Sequence, residues 1–298
     1  MPRARANGIE IEYETFGNPD GRPLVLIMGL GAQLILWDEQ LCEALAASGH
    51  FVVRFDNRDV GLSTHFHEAG IPNVPMAMMA MASGAKIDAP YTLSDMAADT
   101  AGLLDALDLG AAHVVGASMG GMIAQTLAIE HPERVRSLTS IMSSTGNPSL
   151  PPSRPEAMAA LMMPPPIDRL SAIERGLAIF RIIGSPGYPF DEERIRGYAA
   201  RAFDRSFDPA GPARQLVAIL ASGNRKPRLG AVRVPTLVIH GGSDPLVPIE
   251  AALDTAQAIS GAELAVIDGM GHDLPRGVWP RIVEGITRLT AKAAGGAG

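Results

Sequence analysis

An aliphatic run, a small-residue turn and the start of a helical pattern follow one another in the stretch His113-Val114-Val115-Gly116-Ala117-Ser118-Met119-Gly120-Gly121. A serine in a G-x-S-x-G turn between a strand and a helix is typical of a nucleophile. Gly116 and Gly120 flank Ser118 because so sharp a turn leaves no room for side chains two positions away. The first amides of the helix point toward the serine oxygen and favour negative charge there. The alternative is an ordinary glycine-rich turn that happens to hold a serine.

Similar short aliphatic runs recur along the chain and alternate with helical patterns. A run without polar alternation is expected of a strand that is covered on both faces. Alternating strands and helices predict an α/β fold with a mostly parallel central sheet and helices on both faces. The predicted strands lie at 24–28, 51–55, 113–116, 138–142, 236–239 and 264–267, with an alternating strand pattern at 8–13, and the helical patterns lie at 38–47, 93–107, 119–131, 249–259 and 278–289.

Two stretches interrupt this alternation. The first, residues 70–90, holds several methionines among prolines and alanines. The second, residues 143–228, has several prolines and helical patterns at 172–183 and 191–203, and no aliphatic strand run. We predict that 143–228 is a helical cap inserted into an α/β core made of residues 1–142 and 229–298.

The composition of the 298 residues excludes several classes of protein. With 47% hydrophobic residues and no low-complexity repeat, the chain is neither disordered nor fibrous. The net charge is −7 and the basic residues are scattered, so we expect no nucleic acid partner. No apolar run approaches the roughly 18 residues of a membrane span, and the N-terminal stretch lacks the apolar core of a signal peptide. We therefore expect no membrane partner and a cytoplasmic location. The single cysteine, Cys42, rules out an intramolecular disulfide and is expected in the core.

A serine hydroxyl needs a base to take its proton and an acid to orient that base. Of the seven histidines, only His272 follows a strand run and also comes after the serine in the required order. Asp244 follows another strand run in a loop stiffened by prolines, and Asp268 and Asp273 are the competing acids. An Asx-type turn before proline is the alternative interpretation of Asp244. The sequence therefore predicts the catalytic order Ser118, Asp244, His272.

Two other polar clusters are expected to have structural rather than catalytic roles. Asp56-Asn57-Arg58 ends the second predicted parallel strand, and we expect it to form ion pairs that fix loops around the site, the alternative being a contribution to the pocket. His65 and His67 have the spacing of some metal ligands, but the sequence supplies no further ligand cluster beside them, so we predict no metal site. Since neither a phosphate-binding loop nor a dinucleotide fingerprint is present, we also predict no cofactor.

On these motifs the chain resembles the α/β-hydrolase superfamily over essentially its whole length. Within it, the chain is similar to serine esterases of the aclacinomycin methylesterase-like and cofactor-free haloperoxidase-like groups. The resemblance implies a sheet of about eight strands, a cap, and a Ser-His-Asp triad at the carboxyl edge of the sheet. The segments on which the resemblance rests are 26–31, 56–63, 116–121, 240–245 and 269–272.

The resemblance also implies an oxyanion hole made of backbone amides. One donor would be the amide of Met119, directly after the nucleophile, and the other the amide of Leu30. Many relatives begin the Leu30 loop with His-Gly, where this chain has Met28-Gly29, as in the methylesterase-like group. Judged without the resemblance, Gly29 and its glycine neighbour two positions on indicate a tight turn.

These observations predict a serine carboxylesterase that hydrolyses small to medium apolar carboxylic esters. The methionines at 76–81 and at 158–163, together with Leu161, are expected to line an adaptable pocket, unless they form the core of the cap helices. A serine at the elbow argues against epoxide hydrolase and haloalkane dehalogenase chemistry. A carbon–carbon bond hydrolase or a perhydrolase would use the same triad, and a ligand-binding receptor on this scaffold would be expected to have a damaged triad.

Overall fold

The computed structural model describes residues 2–295, and an eight-stranded sheet lies at its centre in the order β1-β2-β4-β3-β5-β6-β7-β8. Strands β3 to β8 run parallel, β2 pairs antiparallel with β4, and β1 pairs antiparallel with β2 at the edge of the sheet. This is the α/β fold that the sequence predicts. The strands are β1 (Arg3–Ala6), β2 (Ile9–Phe16), β3 (Arg22–Ile27), β4 (His50–Phe55), β5 (Ala112–Ala117), β6 (Val135–Ile141), β7 (Thr236–Gly241) and β8 (Glu263–Ile267).

Helices cover both faces of the sheet. Helices α3, α4 and α10 contribute to one hydrophobic layer, while α1 and α11 contribute to the other. The threonine before α3 forms the capping box that starts this helix. The helices are α1 (Glu39–Ala47), α2 (Val74–Ser83), α3 (Leu93–Ala106), α4 (Met119–Glu130), α5 (Pro155–Leu161), α6 (Arg169–Ile183), α7 (Glu192–Arg205), α8 (Gly211–Ser222), α9 (Lys226–Leu229), α10 (Ile249–Ala258) and α11 (Trp279–Gly295). Within residues 2–295, no helix has both the length and the apolar character needed to cross a bilayer.

Two elements differ from the sequence-based expectation. Strand β8 is not covered on both faces, because it is the last strand of the sheet and Leu264 and Val266 stay partly exposed. Strand β1 is short and alternates alanine with arginine, so it has no aliphatic run, and it forms by pairing with β2. The short side chains of Ala4 and Ala6 still reach the core.

The chain between β6 and β7 is helical throughout its regular elements, from α5 to α9. Helices α6 and α7 pack against each other around a small core of their own, which is formed by Ile173, Leu177, Ile195, Ala199 and Ala200. Helix α9 instead contacts α4 and α10, which flank the sheet, and it spans the predicted end of the cap at residue 228. The division into a core and a cap stays a prediction.

Candidate active site

Ser118 lies in the turn that joins β5 to α4, at the carboxyl edge of the sheet. Its backbone has φ +56° and ψ −120°, a conformation that costs a residue with a side chain on the order of 1–3 kcal/mol. A Cβ atom at Gly116 would lie 2.1 Å from the carbonyl oxygen of Gly120, and one at Gly120 would lie 2.0 Å from that of Ile27. Only glycine therefore fits at the two positions that flank the serine.

The side chain of His272 bridges the serine and an aspartate. Its Nε2 atom lies 3.0 Å from Oγ of Ser118, and its Nδ1 atom lies 2.7 Å from Oδ2 of Asp244. In the neutral imidazole, Nδ1–H then donates to the carboxylate and Nε2 accepts the serine proton. The backbone amide of His272 donates to the carbonyl of Ile183 at 2.7 Å, so the last turn of α6 helps to hold this loop. The structure brings together the three residues that the sequence names.

Asp244 is buried, and every oxygen of its carboxylate has a donor. Oδ1 accepts the amides of Leu246 and Val247 at 2.9 Å each, while Oδ2 faces His272. Burial acts to raise the pKa of Asp244, but the charge and hydrogen bond of His272 and the backbone amide of Val247 outweigh it, so the pKa lies below its usual value. The carboxylate is therefore ionised at neutral pH.

The two competing acids have other surroundings. Asp268 is exposed to solvent. Asp273 is half-buried and accepts a hydrogen bond from the hydroxyl of Ser185, and burial raises its pKa. Of the three candidates, Asp244 is the one whose carboxylate contacts Nδ1 of His272.

His240, at the end of β7, is a member of the site that the sequence analysis did not assign. Its Nε2–H donates to the carbonyl of Val247 at 2.8 Å and lies 3.7 Å from Oδ2 of Asp244. Burial lowers the pKa of His240, so that its ring is neutral at neutral pH. A neutral ring covers one side of the carboxylate and limits its contact with water. The signal in the sequence is the position of His240 directly before the loop that holds the aspartate.

The loop after β3 passes beside the serine. A Cβ atom placed on Gly29 would lie 3.1 Å from Cβ and 3.6 Å from Oγ of Ser118. Leu30 is the next residue along this loop, and Met119 is the first residue of α4, where amides have no acceptor within the helix. The loop of Leu30 and the first turn of α4 thus both border Ser118. Their role as oxyanion donors stays a prediction.

The residues after β4 form the ion pairs that the sequence predicts. Asp56 accepts the amides of Leu34 and Leu62 and pairs with Arg205 on α7 at 2.7 Å. Arg58 pairs with both carboxylate oxygens of Asp99 on α3, at 2.6 and 2.7 Å. These bonds join the loop after β4 to α3 and to α7.

His65 and His67 meet a third ionisable residue, Asp208, which the chain supplies from the loop between α7 and α8. Their candidate ligand atoms all lie within 4.8 Å of one another. The Oδ2 atom of Asp208, however, lies 2.9 Å from Nδ1 of His65 and accepts from Arg214 at 2.7 Å. A metal ion bound to that oxygen would lie beside a guanidinium, whose charge opposes it. The arrangement fits an ion-pair network better than a cation site.

Several of the methionines that the sequence assigns to a pocket are exposed to solvent. Met76, Met79 and Met81 are more than half exposed on α2, and Met162 is 40% exposed. A groove of about 540 Å³ lies between the end of α2 and α8 and includes Met81. Ser118, Asp244 and His272 do not line this groove. A methionine-lined ester pocket beside the serine stays a prediction. Cys42 is fully buried as expected, and burial raises the pKa of its thiol to about 12.

Comparison with known proteins agrees with this fold. Residues 22–165 match the family described as the alpha/beta hydrolase fold. Rhodomycin D methylesterase from Streptomyces sp. (strain C5) is 32% identical to this chain, and the match covers 94% of each chain. Among solved structures, an esterase from Exiguobacterium antarcticum superposes with a TM-score of 0.74 at 21% identity, covering 97% of this chain and 98% of that one. A variant of the meta-cleavage product hydrolase from Pseudomonas fluorescens IP01 gives a TM-score of 0.74 at 20% identity, covering 98% of each. The chain belongs to the α/β-hydrolase fold family.

Proposed function

We propose that the protein is a serine carboxylesterase that hydrolyses small to medium apolar carboxylic esters through an acyl-enzyme on Ser118. The observation on which the proposal rests is the hydrogen-bonded chain from Ser118 through His272 to Asp244, with distances of 3.0 and 2.7 Å. A nucleophile, a base within reach of it and an acid that orients the base are the three parts that acyl transfer requires.

In the proposed acylation step, Oγ of Ser118 attacks the ester carbonyl and Nε2 of His272 takes the hydroxyl proton. The amides of Leu30 and Met119 bind the oxyanion of the tetrahedral intermediate. The imidazolium then gives its proton to the leaving alcohol, and the acyl group stays on the serine. Water attacks the acyl-enzyme with the same histidine as base, which releases the acid and restores the serine.

The electrostatics of the site support this sequence of steps. The carboxylate of Asp244 is ionised, so it stabilises the imidazolium that forms when His272 takes a proton. Helix α4 begins at Met119, directly after the serine, and its N-terminal end favours the negative charge that develops on the substrate oxygen. Both contributions are larger in the transition state than in the ground state.

The proposed substrate class rests on the sequence and on the similarity to a known esterase. The methylesterase named above supports the inclusion of methyl esters among the candidates, and residues 143–228 are proposed to cover the pocket as a cap. The chemistry needs no cofactor. A cytoplasmic location is part of the proposal, and fractionation of the producing cells tests it.

Covalent labelling tests the nucleophile directly. The protein is incubated with a fluorophosphonate and the modified peptide is mapped by mass spectrometry, beside turnover of p-nitrophenyl esters of graded acyl length. We expect the label on Ser118, and neither label nor turnover in Ser118→Ala. The control is Ser137→Ala, which removes a buried hydroxyl from β6 that bonds His113. Full esterase activity in Ser118→Ala would refute the assignment.

Labelling by the fluorophosphonate and turnover of the p-nitrophenyl esters also distinguish an esterase from the alternative functions. A carbon–carbon bond hydrolase also needs a reactive serine, so it would be labelled while the simple esters remain intact. A perhydrolase would be labelled as well and would cleave the esters, but its acyl-enzyme would pass the acyl group to peroxide. Peroxide-dependent halogenation in the presence of a carboxylate would indicate a perhydrolase. Binding of esters without turnover or label would indicate a receptor on the hydrolase scaffold.

A further inference from the structure

Gln215 lies on α8 with a fully buried side chain, and its amide bridges two loops beside the site. Its Oε1 atom accepts the N–H of Gly31 at 2.8 Å, and its Nε2 atom donates to the carbonyl of Arg58 at 2.7 Å. A backbone N–H only donates and a carbonyl only accepts, so these partners fix which end of the amide faces which loop. Gln215 therefore ties the loop after β3 to the loop after β4.

The bond to Gly31 holds one of two peptide groups that border the amide of Leu30. On the other side, the carbonyl of Met28 accepts a hydrogen bond from Nδ2 of Asn57 at 2.9 Å. Leu30 thus lies between a point held by Asn57 and a point held by Gln215. Both holding side chains are buried, where an unpaired amide is costly and the bonds are therefore persistent.

The peptide group between those two points is itself only lightly held. Its carbonyl, on Gly29, accepts the amide of Ala32 at 3.3 Å, which is at the long end of the hydrogen-bond range. Its N–H belongs to Leu30, the predicted oxyanion donor beside Ser118. The direction of that N–H is therefore set chiefly by the flanking groups, one of which depends on Gln215.

We propose that Gln215 is a positioning residue for the oxyanion hole, which aims the amide of Leu30 at the substrate oxygen through its bond to Gly31. This inference rests on the proposed esterase function. The consequence is that α8, which lies within the segment predicted to be a cap, takes part in catalysis through the backbone of the loop after β3. Positioning of this kind affects a donor that acts mainly in the transition state, so it changes kcat more than KM.

The test compares Gln215→Met and Gln215→Asn with a matched control, His50→Leu. The first removes both bonds, and the second keeps an amide that is too short to reach both loops. His50 is also buried and also makes two side-chain bonds, of 2.9 Å each, but it lies at the opposite edge of the sheet, where β4 begins. Each variant is measured for kcat, KM, the urea midpoint and affinity for a trifluoromethyl ketone, whose adduct with a serine places an oxyanion in the hole.

We expect kcat to fall about 10–100-fold in Gln215→Met, less than the roughly 10²–10³-fold loss of a complete oxyanion donor, because the N–H is displaced rather than removed. KM should change little, and affinity for the trifluoromethyl ketone should fall in parallel with kcat/KM. The loss in Gln215→Asn should be smaller, and this variant decides the question if Gln215→Met does not fold. His50→Leu should lower the urea midpoint without changing kcat of the folded enzyme.

Two results would overturn the proposal. One is a folded Gln215 variant with the kcat and ketone affinity of the wild type, and the other is an equal loss of kcat in His50→Leu. A failure of the esterase function itself would look different, because the wild type would then not hydrolyse esters, whether or not the fluorophosphonate labels Ser118, and that result would overturn both proposals.

Discussion

Asp59 and Arg214 form a bidentate ion pair, with distances of 2.8 and 2.9 Å, in which both side chains are removed from solvent. The pair joins the loop after β4 to α8, and its two residues lie 155 positions apart in sequence. The hydroxyl of Tyr91 and the carboxylate of Asp208 complete the surroundings of the two charges. The same loop and the same helix are the two elements that Gln215 bridges.

Replacement of Arg214 by methionine should destabilise the protein strongly. The change leaves the carboxylate of Asp59 buried without its counter-charge, which typically costs about 3–5 kcal/mol. Urea unfolding measures the difference in the free energy of unfolding. The control is Arg288→Met, which breaks an exposed pair with Glu263 and should cost no more than about 1 kcal/mol. An equal decrease in the free energy of unfolding in the two variants would contradict this prediction, because the buried pair would then stabilise the protein no more than the exposed one.

Two substitutions of glycine by alanine should have opposite effects on the stability of the protein. Gly120→Ala places a methyl group 2.0 Å from the carbonyl oxygen of Ile27, so the elbow has to move and activity should be lost together with stability. Gly197→Ala adds a methyl group on an exposed face of α7 with no atom within 4 Å, and it should stabilise the helix by about 0.5–1 kcal/mol. Thermal unfolding and ester turnover measure both variants. A Gly120→Ala protein with wild-type kcat would contradict the close packing of the elbow.

The two carboxylates near His272 should differ sharply in their contribution to turnover. In Asp244→Asn the side chain keeps its shape, but its amide favours the wrong tautomer of the imidazole, and kcat should fall on the order of 10⁴-fold. Asp273→Asn alters a carboxyl that bonds Ser185 instead of the imidazole, so kcat should change little. Steady-state kinetics of the two folded variants provide the measurement. The reverse ranking would assign the role of the acid to Asp273.

Mild acid should destabilise the protein through a buried histidine far from the site. Burial lowers the pKa of His113 to about 4, whereas an unfolded histidine has a pKa of about 6.5. The unfolded state therefore binds more protons between these values, and the free energy of unfolding falls as the pH drops from about 6.5 to about 4. Urea unfolding at several pH values should show a shallower fall in His113→Gln than in the wild type. His50 and His240 also have lowered pKa values, so the variant should reduce the slope without abolishing it.

The sequence by itself determines much of the fold because its signals are local. Aliphatic runs bounded by turns mark β3 to β7, and Gly116 is required by a contact with Gly120 within a single turn. Chain order, together with a position after a strand run, ranks His272 above the other histidines. The methionine-rich stretch gives a weaker signal, and its helix α2 leaves much of its apolar surface exposed.

What only the tertiary structure decides are the contacts between segments that are distant along the chain. Neither the composition nor the spacing of α8 indicates that Gln215 reaches Gly31, or that Arg214 reaches Asp59. The choice of Asp244 as the acid that contacts His272 likewise depends on where two loops meet past the ends of β7 and β8. A side chain that acts on a neighbour in space leaves no periodic pattern in the sequence, because its partner is set by the packing of whole helices on the sheet.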